Sequence, residues 1–320
     1  MSGSADLLYQ SFVARLGPRL EPTARAWPLQ PAWRPDAPVS HVFLEEATLI
    51  LPELFAPALP RVAPVMVESA TLSHLLSILC SLTLDRLLAG QVVPSAELLD
   101  LMKIVRRERD EALARLGPLG SDPLHDPARA EKARARAIAE EEILLAGNKP
   151  LGWEDYERVA HAKQAPAFPA TLMLARAGGS DEASRERMAR IIAAVTVGLQ
   201  GLDDVTDWEK AAVAGASWPL RLLGEKAGTA LSPALRERII VSRLLVALLR
   251  RTQIHFVVAS REAAVLGLDR LKRWAESLGE LAVWLAGEEE RSPGHVGRWH
   301  AEPAAVHERD WEERIAADTR

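Results

Sequence analysis

Gln200-Gly201-Leu202-Asp203-Asp204-Val205-Thr206-Asp207-Trp208-Glu209-Lys210 closes a run, from Ile191 onward, in which nearly every residue is apolar or small. Only Gly198 and Gly201 interrupt that run as helix-weakening residues. Gln200, Asp203, Asp204 and Asp207 fall at i, i+3, i+4 and i+7, the spacing of one stripe along an α-helix. An apolar helix that ends in an acidic stripe is costly. Two carboxylates about 4 Å apart repel by roughly 4 kcal/mol at an effective dielectric of about 20. A cation relieves that repulsion, and a hard divalent ion suits an all-oxygen set of ligands. The same spacing also fits a solvated helix end beyond the buried part, and both readings stay open on spacing alone.

The wording of the segment adds to its spacing. Q-x-x-D-D-x-x-D-W-E, continuing into Ala211, Gly215, Ser217 and Trp218, resembles the second aspartate-rich motif of the class I isoprenoid (terpene) synthase superfamily. Within that superfamily it looks closest to the bacterial large-substrate terpene synthases and prenyltransferase-like enzymes. The resemblance implies an all-α fold, a single-domain bundle of long helices around a central cavity. It implies Asp203, Asp204 and Asp207 as catalytic acids holding Mg²⁺, which in turn holds a prenyl diphosphate, with Gln200 as a neighbouring polar group. The large-substrate enzymes carry an upstream motif of the D-Y-L-D-N-L-C-D-R type. Ile78-Leu79-Cys80-Ser81-Leu82-Thr83-Leu84-Asp85-Arg86 matches it in the final Asp85-Arg86, while Ile78 and Ser81 stand where acids are expected. Asp85 is then the implied upstream metal ligand and Arg86 a diphosphate ligand. Lys163-Gln164-Ala165 occupies the order of the K-T-A-like segment of trans-prenyltransferases, implying Lys163 on the diphosphate, with Arg158 a turn and a little before it. Arg298-Trp299-His300 lies where terpene cyclases have a C-terminal Arg-Tyr pair. Each of these also has a plainer reading. Asp85-Arg86 can be a charged pair ending an apolar helix, Lys163 and Arg158 surface cations, and Arg298-Trp299-His300 an ordinary tail.

The activity implied is Mg²⁺-dependent ionisation of an allylic prenyl diphosphate, as a lyase or a transferase. The alternative is a catalytically silent relative that keeps the helical fold and binds an isoprenoid or a partner protein. A third reading is an unrelated helical scaffold whose acidic stripe is merely solvated.

Composition fits these readings. The chain has 320 residues and is 48% hydrophobic, ample for a sizeable core. A net charge of −5 argues against a nucleic-acid partner. Cys80 is the single cysteine, which excludes an intrachain disulfide and a cysteine-rich zinc site. No signal-peptide pattern opens the chain, and no transmembrane segment is expected. The best candidate, 239–260, contains Arg243, Arg250, Arg251 and His255. A cytoplasmic setting is the expectation, and a homodimer is left open.

Ten of the 21 prolines lie in the first 64 residues. Proline fixes φ and removes a donor, so an irregular strap with short helices is expected over 1–63. Three- and four-residue apolar spacing predicts helices over 65–89, 96–116, 129–146, 153–162, 167–177, 184–207, 233–260 and 266–287, within a helical domain of 64–290. A tail or lid of 291–320 follows. Pro94-Ser95-Ala96-Glu97 and Ser180-Asp181-Glu182 read as helix starts. The mixed-sign run Lys103 to Glu111 reads as a solvated face. Glu140-Glu141-Glu142 reads as the polar side of an amphipathic helix, with one of the three free to face the cavity. Glu157 and His161 share a face, but no Glu-x-x-His occurs, which excludes the di-iron bundle pattern. No Gly-rich phosphate loop, Gly-x-Ser-x-Gly or Cys/His metal spacing occurs.

Overall fold

The computed structural model describes residues 4–26, 46–88, 90, 92–118, 123–226, 229–294 and 296. Among them are fourteen α-helices and no strand. These are α1 (Ser4–Ala14), α2 (Gly17–Arg25), α3 (Leu51–Phe55), α4 (Pro64–Leu88), α5 (Ala96–Ala114), α6 (Pro127–Ala146) and α7 (Trp153–Lys163). They continue as α8 (Pro169–Ala177), α9 (Glu182–Thr206), α10 (Trp208–Val213), α11 (Trp218–Leu222), α12 (Pro233–Val241), α13 (Leu244–Val265) and α14 (Asp269–Arg291). The all-α expectation holds, and α4 to α9 and α14 begin and end within a few residues of the periodicity reading. Two starts follow from their caps. The Ser95 hydroxyl accepts from the Leu98 amide at 3.1 Å, and the Asp181 carboxylate accepts from the Ser184 amide at 2.7 Å.

Three expectations need correction. The helix expected over 233–260 is two helices, α12 and α13. Arg243 between them has φ 56°, a left-handed conformation that costs a non-glycine residue on the order of 1 kcal/mol. The Ser242 hydroxyl donates to the Ile239 carbonyl at 2.7 Å and the Arg243 amide to the Ile240 carbonyl at 3.0 Å, so the freed carbonyls of α12 find partners. Apolar spacing is blind to this break, because neither Ser nor Arg punctuates a helix.

The most apolar long helix is α4 rather than 239–260. Its best 18-residue window has mean hydropathy 1.5, so by length and composition it is apolar enough to cross a membrane, yet 67% of that window is buried inside the protein. It is read as a core helix. Several of its polar groups find partners: Ser77, Ser81 and Thr83 each donate to the carbonyl four residues back, and His74 Nε2 lies 2.9 Å from the Thr48 carbonyl, while Thr71 Oγ1 and His74 Nδ1 are buried without one.

The run Lys103 to Glu111 is not wholly solvated. Arg109 is buried, held by Asp110 at 2.8 Å and by Glu131 of α6. A guanidinium enters the interior only with such carboxylate partners, and Glu131 lies beyond the reach of a local pattern.

The chain divides into two compact units. The first comprises residues 1–136, 162–193 and 260–274. In it α4 packs on α5, α8, α3 and α1, burying Leu75, Leu76 and Leu79 with Leu101, Val105, Leu174 and Phe55. The second comprises 137–161, 194–259 and 275–320. Its core includes Val195, Trp208, Leu248, Leu249 and Phe256. Here the two glycines near the end of α9 acquire a purpose. A Cβ on Gly198 would lie 2.6 Å from the Phe256 ring, and one on Gly201 would overlap the Thr252 hydroxyl. α9 therefore lies against α13 at a distance only glycine allows.

Candidate functional site

In the second unit, α9 delivers its acids at the last turn. Asp203 is exposed, and Gln200 and Asp204 are partly buried. The expected four-residue stripe is shortened by one: α9 ends at Thr206, and Asp207 is the joint between α9 and α10. Its φ of −98° and ψ of 7° leave the helix, although its amide still donates to the Asp203 carbonyl at 2.8 Å. The cause is Trp208, fully buried, which turns the chain into the core. Asp207 lies 3.4 Å from Lys210 Nζ. The last turn of α9 carries no basic residue, so Asp203 and Asp204 sit at the negative end of the helix dipole. Dipole and mutual repulsion both favour a cation here.

Asp204 differs from its neighbours. Its Oδ2 accepts the Tyr156 hydroxyl at 2.8 Å and its Oδ1 accepts from Gln200 Nε2 at 3.1 Å. Both of these donors are neutral and fix the orientation of the carboxylate. Tyr156, on α7, is buried and stacks edge-on against Trp218, with ring centroids 5.3 Å apart. Burial, followed by the charge of Asp204, drives its phenol well above the ordinary tyrosine range, so it stays protonated and donates. Sequence spacing missed Tyr156; the chain has only two tyrosines, and that scarcity was the one available signal. Trp218 in turn donates its indole N–H to Glu141 at 2.7 Å, which answers how the acidic triplet on α6 is used. Glu140 pairs with Arg158 at 2.5 Å, and Asp155 lies 3.4 Å from the same guanidinium. Glu157 binds Arg251 at 3.0 Å and lies 3.6 Å from His255, while burial lowers the His161 pKa. Glu209 of the D-W-E phrase pairs with Arg236 at 2.8 Å.

In the first unit, Asp85 lies in the last turn of α4, and its carboxylate is bound by Arg134 of α6. Arg134 also donates to the Lys163 carbonyl at 2.5 Å, drawing the ends of α4 and α7 to one point. Arg86 is half-buried, and that burial lowers its pKa against the opposing charge of Asp85. Ser81, at a position where the resemblance expects an acid, is buried with its hydroxyl donating to the Ser77 carbonyl at 3.0 Å. Arg298-Trp299-His300 lies outside the described residues.

The donor chemistry at the end of α9 fits Mg²⁺, which takes one or two carboxylates and completes its octahedron with water and phosphate oxygens. Asp203 and Asp207 would hold it. No group of three acid or imidazole side chains placed to hold a metal ion occurs among the described residues.

No protein-family model matches the chain, and no curated protein sequence matches it at a significant level. Solved structures do. A polyprenyl synthetase from Streptomyces coelicolor A3(2) aligns with a TM-score of 0.63 at 16% identity, over 87% of this chain and 96% of that one. A geranyltranstransferase from Methanosarcina mazei aligns with a TM-score of 0.59 at 15% identity, over 88% and 96%. A polyprenyl synthase from Caulobacter crescentus CB15, complexed with calcium and isoprenyl diphosphate, aligns with a TM-score of 0.59 at 17% identity, over 87% and 98%. The chain has the isoprenoid-synthase fold.

Proposed function

We propose that this protein binds a prenyl diphosphate through Mg²⁺ held at the end of α9 and ionises its allylic C–O bond. The observation that carries the reading is the carboxylate set of α9. Asp203 and Asp207 lie four residues apart beside the negative end of a helix, and Asp204 is pinned between them by Tyr156 and Gln200. The fold adds support, since the Caulobacter polyprenyl synthase that shares it binds calcium and isoprenyl diphosphate. Mg²⁺, when bound, supplies positive charge to the departing diphosphate oxygens. Asp203 and Asp207 are assigned to the ion, and Asp204 holds the turn that presents them. Arg158 is committed to Glu140 and is the weakest of the cations first considered. A cytoplasmic setting without a nucleic-acid partner belongs to the same proposal.

One observation favours a second reading, in which the protein binds an isoprenoid without turning it over. Asp85 is the one acid of the upstream segment, and Arg134 already neutralises it. Incubation with labelled geranyl, farnesyl and geranylgeranyl diphosphates separates the two. Mg²⁺-dependent release of diphosphate, lost on chelation, is expected. Tight binding of all three without release would transfer the assignment to the second reading.

A further inference from the structure

We infer that Glu141 and Trp218 are positioning residues for Asp204, reaching it through Tyr156 as one line of contacts that runs from α6 to the end of α9. The inference rests on the reading above, in which Asp204 holds the turn that presents Asp203 and Asp207.

Every joint of the line is a close contact within the second unit. Glu141 accepts the indole N–H of Trp218 at 2.7 Å, and the Trp218 and Tyr156 rings meet edge-on with centroids 5.3 Å apart. The Tyr156 hydroxyl then reaches Asp204 Oδ2 at 2.8 Å. Both aromatic residues are 3% exposed, so neither ring turns aside without displacing packed neighbours. An indole has one donor and no acceptor, and a buried one that loses its partner strands a polar hydrogen. The Glu141 carboxylate therefore fixes which way Trp218 faces. Trp218 is in turn the wall against which Tyr156 stands, and so sets where the phenol oxygen meets Asp204. Burial, followed by the charges of Asp204, Asp203 and Glu141, keeps that phenol protonated, so its joint to Asp204 is a donated O–H. A second route leads from the same anchor to Asp207. The Ala211 amide donates to the Asp207 carbonyl and the Ala216 amide to the Ala211 carbonyl, each at 2.9 Å, two residues before Trp218. Through Trp218, Glu141 holds both the partner of Asp204 and the far end of the segment that leaves Asp207.

The test combines urea denaturation without metal and calorimetric titration with Mg²⁺ alone, both on the full chain. In denaturation, Glu141→Leu and Asp204→Ala should couple by about threefold or more in the folding equilibrium constant, where independent sites add to within roughly twofold. Glu141→Gln keeps an acceptor for the indole and should show no such coupling, which separates the line of contacts from repulsion between two carboxylates. In a Trp218→Phe background the coupling of Glu141→Leu should vanish. In calorimetry, Glu141→Leu should weaken Mg²⁺ binding by roughly threefold to tenfold, less than the loss of a direct neighbour of a metal ligand, and Glu141→Gln should restore it. A residue that only stabilises the fold would lower the urea midpoint and leave Mg²⁺ affinity alone. Additive stabilities, a coupling that Glu141→Gln retains, or a Mg²⁺ affinity that Glu141→Leu leaves unchanged would overturn the inference. If the unmodified protein binds no Mg²⁺, the metal reading fails, and the denaturation cycle by itself decides whether Glu141 positions Asp204. Should Glu141→Leu fail to fold by circular dichroism, Trp218→Phe breaks the same hydrogen bond from its other side and takes its place in both measurements.

Discussion

Tyr156→Phe removes a single oxygen, and the structure allows its consequence to be worked out. The ring of Tyr156 is 3% exposed and packs edge-on against Trp218 and Trp153, contacts that phenylalanine keeps. What disappears is the 2.8 Å hydrogen bond to Asp204 Oδ2. A hydrogen bond to a charged acceptor contributes about 1.5–3 kcal/mol. Asp204 is partly exposed and recovers some hydration, which places the loss near the lower end, about 1.5 kcal/mol. For a chain of this length that corresponds to a fall of roughly 2 °C in Tm. The assay is urea denaturation of the unmodified protein, Tyr156→Phe, Asp204→Ala and the double variant, treated as a cycle. A coupling of about 1.5 kcal/mol is expected between the two sites. With its hydroxyl partner gone, Asp204 is held by Gln200 alone among these two donors, so Mg²⁺-dependent diphosphate release should fall as well. A coupling under about 0.5 kcal/mol, or a Tyr156→Phe protein as stable as its parent, would refute the claim that Tyr156 organises the end of α9.

Asp203→Ala and Asp207→Ala together should abolish Mg²⁺-dependent diphosphate release while the helical circular-dichroism signal is unchanged. Their metal-free Tm should rise modestly, since charge at the negative end of a helix dipole is relieved; persisting activity would remove these residues as metal ligands. Gly201→Ala should destabilise by about 1–3 kcal/mol through overpacking against Thr252, despite the better helix propensity of alanine, and Thr252→Ala should restore most of the loss in denaturant titrations. Burial lowers the His74 pKa from 6.5 to about 4, so the folded protein keeps this imidazole neutral where the unfolded chain protonates it. Its contribution is therefore complete above pH 6.5 and falls by roughly 1.4 kcal/mol per unit as pH drops from 6.5 towards 4. His74→Gln should flatten that limb of the stability-against-pH curve, and an unchanged slope would exclude His74 as its source.

Periodicity reads one helix at a time, which explains what could be inferred before the structure. The 3.6-residue pattern placed α9 and its acids because spacing along a single helix is a local property. Its last acid slipped off the helix because the cause, burial of Trp208, is not local. Arg109 departs from the pattern for the same reason, drawn inward by Glu131 from a different helix, whereas the break at Arg243 is local but closes on backbone carbonyls, which side-chain spacing does not register. The partners that define the two acidic positions are equally remote, Arg134 lying 49 residues from Asp85 and Tyr156 48 residues from Asp204. The two aspartates are chemically identical, yet their surroundings diverge. Asp204 meets a hydroxyl and an amide, neutral donors that orient its carboxylate. Asp85 meets the guanidinium of Arg134. In each case one partner that shapes the surroundings is a residue on another helix.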